Sequence, residues 1–574
     1  MTDTSLSTAM TSSAVDSNIN SDLGSSFAAK SFSVVDFLKR IRLSSVLLAL
    51  MLAAPLLTLI YQALITDGES FEHIKQTVLP DYIINTLILI FGVGLSVVLI
   101  GVPTAWLIAS CQFVGRDFFK WALVLPLAMP AYIVAYVYTD LLDYAGPVQI
   151  GLRQYFGWQS PADYWFFDIR SMGGAIAMLA LVLFPYVYLL ARAGFAEQNA
   201  ALTHASRALG ASPTKSFFKI SLPLARNSII AGVALVMMES MADFATVSYF
   251  AVSTLTTAVY DTWLGHYDLA SAAKLSSIMV LGIFVLLYME RLHNGKKRSG
   301  ADAKMSHHSL KYQLKGLKGF AAFIFCGLIL TLAFIVPVVI LADYALDYFA
   351  ESWQTGVVEY ALNSVIIAGS TALTALLIAI ILNHKARIFP FVGQKASLKV
   401  ASSGYAIPGT VMAIGVLFPL TFFDQQINAY AEQLGWNTPG LLLSGSIITI
   451  IVAHVVRFVA IANKGLEASY ANVSPSLDMV SKTMGRSGVS LFANVHFPLI
   501  RKSAVVAALL IFVESMKELP AALLLRPFDF QTLPTYLYQF ASDEQLEIAA
   551  LGAVLIVVVG LLPLLALNRS MDSK

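Results

Sequence analysis

The chain has 574 residues, of which 57% are hydrophobic and only 13% are charged, and its mean hydropathy is +0.72. Soluble proteins carry about 25% charged residues, so a lipid bilayer is the solvent that suits this composition. A formal net charge of +2 gives no reason to expect a nucleic-acid partner. Two cysteines, Cys111 and Cys326, are too few for a disulfide framework or a cysteine-based zinc site.

Apolar runs long enough to cross a bilayer follow one another along the chain. A spanning helix needs about 20 mostly apolar residues, and no alternation with a period of two, typical of strands, is present. The run at 43–65 is too long and too far from the start to be a cleavable signal. We therefore predict an all-α polytopic membrane protein with twelve transmembrane helices, at 43–65, 82–111, 121–139, 171–191, 227–250, 269–289, 319–342, 360–382, 400–423, 441–463, 503–525 and 548–567.

The density of lysine and arginine alternates from one loop to the next. Loops that are rich in these residues stay on the cytoplasmic side of a membrane. We therefore expect both termini in the cytoplasm. Of the 37 lysines and arginines, 30 lie in the segments 1–42, 112–120, 192–226, 290–318, 383–399, 464–502 and 568–574, and only five lie in the intervening loops.

The loops after the fourth and the tenth predicted helix repeat each other. In the first loop Gly210 is followed thirteen residues later by Pro223, and in the second loop Gly485 is followed at the same distance by Pro498. Other pairs obey the same repeat, namely Glu239 with Glu514, Ser240 with Ser515 and Asp243 with Glu518 at an offset of 275, and Pro130 with Pro408 and Asn85 with Asn363 at an offset of 278.

Two six-helix halves in the same orientation account for this repeat, as in a parallel duplication about an axis along the membrane normal. The first residues are rich in Ser, Thr, Asp and Asn, which predicts disorder. We therefore divide the chain into a disordered cytoplasmic tail (1–42), a first half (43–289) with the loop 192–226, a basic cytoplasmic linker (290–318), a second half (319–567) with the loop 464–502, and a cytoplasmic tail (568–574).

Each repeated loop is predicted to form a short helix, a stop and a second short helix. Gly210 and Gly485 suit the left-handed residue that ends a helix, and Pro223 and Pro498 are expected to break the second helix just before the next span. An elbow of this kind, used twice on the cytoplasmic face, indicates a docking surface for two copies of a partner. The alternative is a pair of amphipathic helices that lie on the lipid surface.

The spacing in these loops resembles the EAA loop of permease subunits in binding-protein-dependent ABC importers. The pattern of that family is Glu-Ala-Ala, three residues, Gly and later Ile-x-Leu-Pro. Gly and Pro are present in both loops, whereas the acidic first residue is present in neither. The loops read His204-Ala205-Ser206, Gly210 and Ile220-Ser-Leu222-Pro223 in the first half, and Met479-Val480-Ser481, Gly485 and Val495-His-Phe497-Pro498 in the second.

This resemblance implies that each loop forms a coupling helix seated in a cleft of a separate ATP-binding subunit. An ion pair that the missing acidic residue would make is either absent or made differently, for example through Arg207 and Lys482. The residues expected to couple the chain to the ATPase are Ala205, Arg207, Gly210, Pro223, Lys482, Gly485 and Pro498.

Two further segments resemble the fused, two-half permeases of ferric iron importers, and the resemblance covers nearly the whole chain beyond about residue 40. It implies two MetI-like halves around a central alternating-access pathway in the bacterial inner membrane, two cytoplasmic ATP-binding subunits and a periplasmic ferric-binding protein. Fused permeases for thiamine share this layout, so thiamine or another small cation is the alternative cargo. The segments are Glu239-Ser-Met-Ala-Asp-Phe244 and Glu514-Ser-Met-Lys-Glu-Leu-Pro-Ala521, the latter followed by Leu525-Arg-Pro-Phe528.

Charged residues inside the predicted spans are the candidate pathway. Glu239 and Glu514 lie about twelve residues into their spans, roughly 18 Å deep and near the middle of the bilayer. An ionised residue costs about 2.5–3.5 kcal/mol at that depth, so these acids must face the bundle interior, pair or bind protons. Asp243 and Glu518 follow four residues later, on the same predicted helix face.

With Lys517 these four acids leave a formal charge of −3, which suits a cation pathway. A buried ion-pair network that merely holds helices together is the alternative. Arg457, near the inner end of its span, is expected to extend to the lipid surface, and Tyr132, Tyr136 and Tyr138 are expected to pack rather than to bind metal.

The chain contains no Gly-x-x-x-x-Gly-Lys-Ser/Thr phosphate loop. We therefore expect a transport subunit that is not itself an enzyme and carries no cofactor, with ATP and Mg²⁺ in a partner subunit. The alternative from another class is a proton-coupled secondary transporter, which would also have twelve helices in two parallel halves. The loop 112–120 lacks the extended Gly-x-x-x-Asp-Arg pattern of the major facilitator superfamily, which speaks against that alternative.

Overall fold

The computed structural model describes residues 43–198, 205–206, 208–294, 311–388, 393–486 and 488–572. Within these ranges the chain is almost entirely helical, as predicted. The predicted disordered tail 1–42 and most of the predicted linker lie outside the described residues. The helices of the first half are α1 (Leu43–Ile65), α2 (Phe71–Thr77), α3 (Leu79–Ser110), α4 (Arg116–Ala122), α5 (Ala131–Leu142), α6 (Pro147–Phe156), α7 (Met172–Ala196), α8 (Pro213–Ser216), α9 (Leu222–Ala242), α10 (Ala245–Tyr249), α11 (Leu255–Tyr260) and α12 (Leu269–Asn294).

The second half follows the same order of long and short helices. A two-stranded parallel ladder joins the halves, because β1 (Cys111–Gln112) of the first half pairs with β2 (Tyr312–Gln313) just before the second. The remaining helices are α13 (Leu317–Leu330), α14 (Val336–Asp347), α15 (Phe349–Gln354), α16 (Val357–Ile388), α17 (Gln394–Ala401), α18 (Gly409–Gln433), α19 (Ile447–Ala471), α20 (Pro475–Thr483), α21 (Gly488–Leu491), α22 (Phe497–Lys517), α23 (Pro520–Leu525), α24 (Leu533–Ser542) and α25 (Leu546–Asp572).

In the described part of the chain, eleven helices are long and apolar enough to cross a membrane. A bent pair, Arg116–Ala128 and Ala131–Phe156, whose two parts meet at 90°, brings the number to twelve if the pair is counted as one broken span. The prediction of a straight span at 121–139 was therefore wrong. Pro130 explains the break, because the residue before a proline avoids the helical region, and Met129 is extended with φ −105° and ψ 127°.

The predicted duplication reappears in the contacts of the structure. The Asn85 side chain donates to the backbone oxygen of Ser253, and the Asn363 side chain donates to that of Gln531, both at 3.0 Å. Asn85 and Asn363 are 278 positions apart, and so are Ser253 and Gln531, which is the offset found in the sequence. These side chains attach the second span of each half to the loop that follows its broken fifth span.

The first helix of each half packs across onto the other half. Helix α1 lies against α18 and α17 of the second half, and the Thr58 hydroxyl donates to the backbone oxygen of Gly415 at 3.2 Å. Gly415 permits this approach, since a Cβ there would lie 2.6 Å from the backbone oxygen of Pro55. In return, the Tyr344 hydroxyl on α14 donates to Asp140 on α5 at 2.6 Å. The two sequence halves are therefore interlocked.

Candidate functional site

A cavity of about 150 Å³ lies between the two halves and is lined by charged side chains. Its walls come from the loop before α5 and from α7 and α9 in the first half, and from α19 and α22 in the second. The structure thus brings together residues that are up to 393 positions apart in the sequence, from Leu127 to Pro520. All five predicted pathway residues line this cavity, namely Glu239, Asp243, Glu514, Lys517 and Glu518.

The spans that carry these residues are broken in the middle of the protein. Helix α9 ends at Ala242 and α22 ends at Lys517, and the next residue in each is extended, with φ −69° and ψ 127° at Asp243 and φ −72° and ψ 116° at Glu518. The predictions of continuous spans at 227–250 and 503–525 were therefore wrong. The acids four residues apart do not share one helix face, because the helix ends between them.

The second acid of each half lies two residues before the next helix and binds the N–H groups of its first turn. Asp243 accepts hydrogen bonds from the backbone N–H groups of Thr246 and Val247, at 2.9 and 3.3 Å, and from the Thr246 hydroxyl at 3.1 Å. Glu518 accepts from the backbone N–H groups of Ala521 and Ala522, at 3.1 and 3.3 Å. A carboxylate at this position satisfies N–H groups that a helix leaves unpaired and favours its positive end.

Glu518 has two further partners that Asp243 lacks. Arg457 donates to Glu518 at 2.8 Å and His454 donates to it through Nε2 at 3.2 Å, all three side chains being largely buried. The other ring nitrogen of His454 lies 2.8 Å from the hydroxyl of Ser515, which fixes the orientation of the ring. The prediction that Arg457 extends to the lipid surface was wrong, because its guanidinium points inward to the cavity.

The two halves therefore differ in how their capping acids are balanced. At the repeat offset of 275, the positions of His454 and Arg457 are occupied in the first half by Leu179 and Val182. Asp243 consequently receives no cation from its own half. Four carboxylates against Arg457 and Lys517 give the cavity a formal charge of −2, rather than the −3 expected from the sequence.

The other two acids, Glu239 and Glu514, lie within α9 and α22, four residues before the acids at the breaks. Glu514 is bound by Lys517 one turn later on α22, at 3.0 Å, and the same ammonium group donates to the backbone oxygen of Leu127 at 3.3 Å. Glu239 lies at the corresponding point of α9, and its charged neighbours are Arg457, Glu514 and Lys517. Ion pairs therefore lie within the acidic lining, but among the described residues Lys517 pairs with Glu514 alone, whereas Glu518 pairs with Arg457 and His454.

A second cavity of about 400 Å³ adjoins the first. Its lining is mostly apolar and includes Leu510, Val513 and Pro563, together with Lys120 and Arg192 from predicted cytoplasmic segments. The wall between the two cavities consists of residues that line both, namely Leu127, Tyr186, Tyr405, Glu514 and Lys517.

No group of three or more His, Cys, Asp or Glu side chains is arranged to hold a metal ion within the described residues. The three tyrosines of α5 are buried and pack as predicted: the ring of Tyr136 lies 4.5 Å from that of Tyr249 and 5.7 Å from that of Tyr132, and the Tyr138 hydroxyl donates to the backbone oxygen of Leu332 at 2.6 Å. Tyr132 lines the charged cavity.

The two predicted coupling loops share one backbone conformation at their glycines. Gly210 has φ +78° and Gly485 has φ +77°, as predicted for the left-handed residue that ends a helix. The surrounding hydrogen bonds are also the same, because the N–H of Ala211 donates to Ser206 and that of Arg486 donates to Ser481, each at 3.0 Å. Glycine is required here because other residues are strained at such φ values.

The prolines of these loops do not break the second helix, contrary to the prediction. The helices run through Pro223 and Pro498 as the continuous spans Thr214–Ala242 and Gly488–Lys517. Each proline follows a π-helical turn, at Phe217–Ser221 and Phe492–His496. The wider turn accommodates a residue that lacks an N–H group and that would clash with the preceding turn of a regular α-helix.

The sequence did not identify the exposed apolar side chains next to the glycines. Leu209 is 88% exposed and its repeat counterpart Met484 is 70% exposed. Met479 and Val480 on α20 are exposed as well. Of the predicted coupling residues, Arg207 lies outside the described residues, as does the side chain of Lys482, so their contacts stay predictions.

Helix α20 of the second predicted coupling loop is attached to the rest of the protein by an ionic network. Asp478 accepts from Arg387 on α16 at 2.7 Å and from His496 at 2.8 Å, and His496 contacts His384 at 3.2 Å. Burial opposes ionisation of Asp478, but the hydrogen bonds from His496 and Arg387 outweigh it and lower its pKa. Because His496 immediately precedes α22, these contacts connect α20 to the helix that carries Glu514.

A duplicated helical bundle with a charged cavity between its halves defines this chain as a membrane transport protein. Residues 97–298 match the family described as binding-protein-dependent transport system inner membrane component. The chain is 24% identical over 534 residues to the Fe(3+)-transport system permease protein FbpB 2 of Haemophilus influenzae, covering 91% of this chain and 97% of that protein.

Two further relatives extend the comparison. The ferric transport system permease protein FbpB of Actinobacillus pleuropneumoniae is 26% identical over 535 residues, covering 87% of this chain and 73% of that protein. The molybdenum transport system permease protein ModB of Haemophilus influenzae is 30% identical over 171 residues, covering 29% of this chain and 71% of that protein. The chain belongs to the permease family of binding-protein-dependent ABC transport systems, and it is a multi-pass transport component rather than an enzyme.

Proposed function

We propose that this chain is the permease of an ATP-driven importer that carries ferric iron across the bacterial inner membrane, with both termini in the cytoplasm. The proposal rests on the cavity between the halves, in which four carboxylates face the positively charged side chains of Arg457 and Lys517. A cleft with a net negative lining concentrates cations and repels anions. Relatives named as ferric permeases match over most of the chain, which supports iron as the cargo.

The cavity lining also discriminates against the cargo of the partial relatives. Permeases named for molybdenum or molybdate match no more than 41% of this chain. Their substrate is an oxyanion, which the net negative charge around Glu239 and Asp243 would repel. Thiamine, a small organic cation, also fits the charge of the cavity and stays the alternative cargo.

The two coupling loops support two ATP-binding partners. Each loop presents an exposed apolar residue, Leu209 or Met484, beside a left-handed glycine in the same backbone conformation. Two equivalent docking sites in one chain predict two copies of the subunit that binds there. That subunit supplies ATP and Mg²⁺. The binding-protein-dependent family implies a periplasmic binding protein on the opposite face.

The predicted pathway residues receive different roles in this proposal. Glu239, Glu514 and Asp243 attract the cation, because their charges are only partly balanced by neighbours. Glu518 keeps the second broken span in shape, because its oxygens are occupied by Arg457, His454 and two backbone N–H groups. The alternative of a proton-coupled secondary transporter finds no support among the relatives, which are permeases of binding-protein-dependent systems.

The test is iron uptake by proteoliposomes that contain the permease with its ATPase, supplied with a ferric-loaded binding protein. We expect uptake that requires ATP, and a strong loss of uptake in Glu239→Gln and Glu514→Gln. Glu432→Gln is the matched control, because this acid is exposed at the end of α18 and remote from the cavity.

Three outcomes would contradict the proposal. Unchanged uptake in both cavity variants would remove the pathway assignment, and uptake driven by an ion gradient without ATP would remove the ABC mechanism. If a molybdate- or thiamine-loaded binding protein stimulates ATP hydrolysis and the ferric form does not, the cargo is that substrate and not ferric iron.

A further inference from the structure

The wall between the two cavities contains a polar contact that crosses from one half of the protein to the other. The ammonium group of Lys517, at the end of α22, donates to the backbone oxygen of Leu127 in the first half at 3.3 Å. Its other partner, Glu514, belongs to the same helix at 3.0 Å. Lys517 therefore joins the halves at the point where the charged cavity meets the apolar one.

The position of this contact along the pathway follows from the direction of α22. The apolar cavity is lined by Leu510 and Val513, which precede Lys517 on the helix, and the charged cavity is lined by Glu518, which follows it. In the proposed orientation α22 runs outward from the cytoplasm. In that orientation Lys517 lies on the cytoplasmic side of the charged cavity, where the apolar cavity adjoins it.

The rest of the wall is made of large side chains that also come from both halves. Tyr186 lies on α7 of the first half and Tyr405 lies before α18 of the second, and both line each cavity. Separation of the halves would part the two tyrosines and break the contact of Lys517 with Leu127. The contact within α22, between Lys517 and Glu514, would survive such a movement.

The contact has no counterpart in the repeated half. At an offset of 275 the residue that corresponds to Lys517 is Ala242, and at an offset of 278 the residue that corresponds to Leu127 is Tyr405. Neither an alanine nor a tyrosine side chain supplies a charged donor. The second half therefore supplies the single lysine contact of the wall within the described residues, although the wall itself is built by both halves.

We infer that Lys517 is the latch of an inner gate, which closes the pathway between the charged cavity and the cytoplasm by binding the backbone of the opposite half. This inference rests on the proposed function and adds the residue that holds the barrier shut. When the halves part, Glu514 retains the ammonium group and the route opens.

The experiment measures passive leak rather than transport. Proteoliposomes that contain the permease with its ATPase are loaded with calcein, and Mn²⁺ is added outside in the absence of ATP. We expect Mn²⁺ to quench the dye several-fold faster in liposomes with Lys517→Met than in those with the wild type. Lys517→Arg keeps the positive charge and should show the slow wild-type rate. Lys274→Met is the matched control, because this lysine also lies in a span but contacts Asp67 far from the wall.

A second variant protects the inference against poor folding of the first. Tyr405→Ala widens the same wall without touching the ion pair and should also leak. Wild-type leak rates in both Lys517→Met and Tyr405→Ala, with each protein eluting as a single species in size exclusion, would overturn the latch. That result would leave the proposed function standing, because ATP-driven iron uptake by the wild-type protein is measured separately.

Discussion

Neutralising Glu518 tests the claim that the two broken spans are held by different forces. In Glu518→Gln the side chain keeps its shape and can still accept from the backbone N–H groups of α23, but the buried guanidinium of Arg457 loses its counter-charge. Removing one partner of a buried ion pair costs about 3–5 kcal/mol. We expect the free energy of unfolding to fall by about that amount.

Asp243→Asn is the matched control in the other half. Asp243 caps α10 but receives no cation from its own half, where Leu179 and Val182 replace the histidine and the arginine. Asparagine caps a helix about as well as aspartate. We therefore expect the free energy of unfolding to change by only a few tenths of a kcal/mol, about tenfold less than in Glu518→Gln.

The assay is an unfolding titration in mixed detergent micelles, followed by tryptophan fluorescence, on the two single variants and on a double variant. Adding Arg457→Met to Glu518→Gln removes both charges, so no charge is left unpaired and most of the lost stability should return. Equal losses in Asp243→Asn and Glu518→Gln would refute the reasoning. A double variant less stable than the single one would refute it as well.

The remaining predictions concern the coupling loops and the packing around the cavity. Replacing Gly210 and Gly485 together by Arg forces a bulky residue into the left-handed conformation at both sites, at a cost of about 1–2 kcal/mol each. We expect the ATP-binding subunit to be lost on co-purification. If that subunit is retained, the two loops are not its docking sites. Because the pKa of Asp478 is lowered in the folded protein, its stabilising effect is complete above the unfolded pKa of about 3.9 and is lost as the pH falls through the lower folded value. Thermal melting of Asp478→Asn should therefore lack this acid-side loss, and an unchanged profile between wild type and variant would contradict it. Gly409→Ala should destabilise the protein by about 1–3 kcal/mol, because its Cβ would lie 2.2 Å from a Glu518 carboxylate oxygen. A melting temperature equal to that of the wild type would show that the ion pair can move aside.

The repeat in the sequence was enough to find most of the site. Glu239 and Glu514 were recognised because charges in the middle of apolar runs are costly, and their common offset indicated a shared interface. The structure places both on one cavity, and the glycines of the loops adopt the predicted left-handed conformation. These features depend on local sequence and on symmetry, which a single sequence records.

Contacts between distant segments could not be predicted in the same way. The partner of Glu518 is an arginine 61 residues earlier, and nothing in the sequence around Arg457 distinguishes an inward guanidinium from one that reaches the lipid surface. The partner of Lys517 is a backbone oxygen 390 residues away, which has no residue signature at all. The helix breaks at Asp243 and Glu518 were missed because an acid that caps a new helix looks, in sequence, like an acid within a continuous one.

The interlocked first helices also constrain how the protein is made. Helix α1 leaves the ribosome early, but its contact with Gly415 joins residues separated by 357 positions. At roughly 5–20 residues per second, translation needs about 20–70 s to produce that distant surface. During this interval α1 resides in the membrane without its final neighbour. The contact of α1 with α18 therefore forms only after the first part of the second half has been made, and expression of the halves as separate polypeptides would have to recreate this contact between chains.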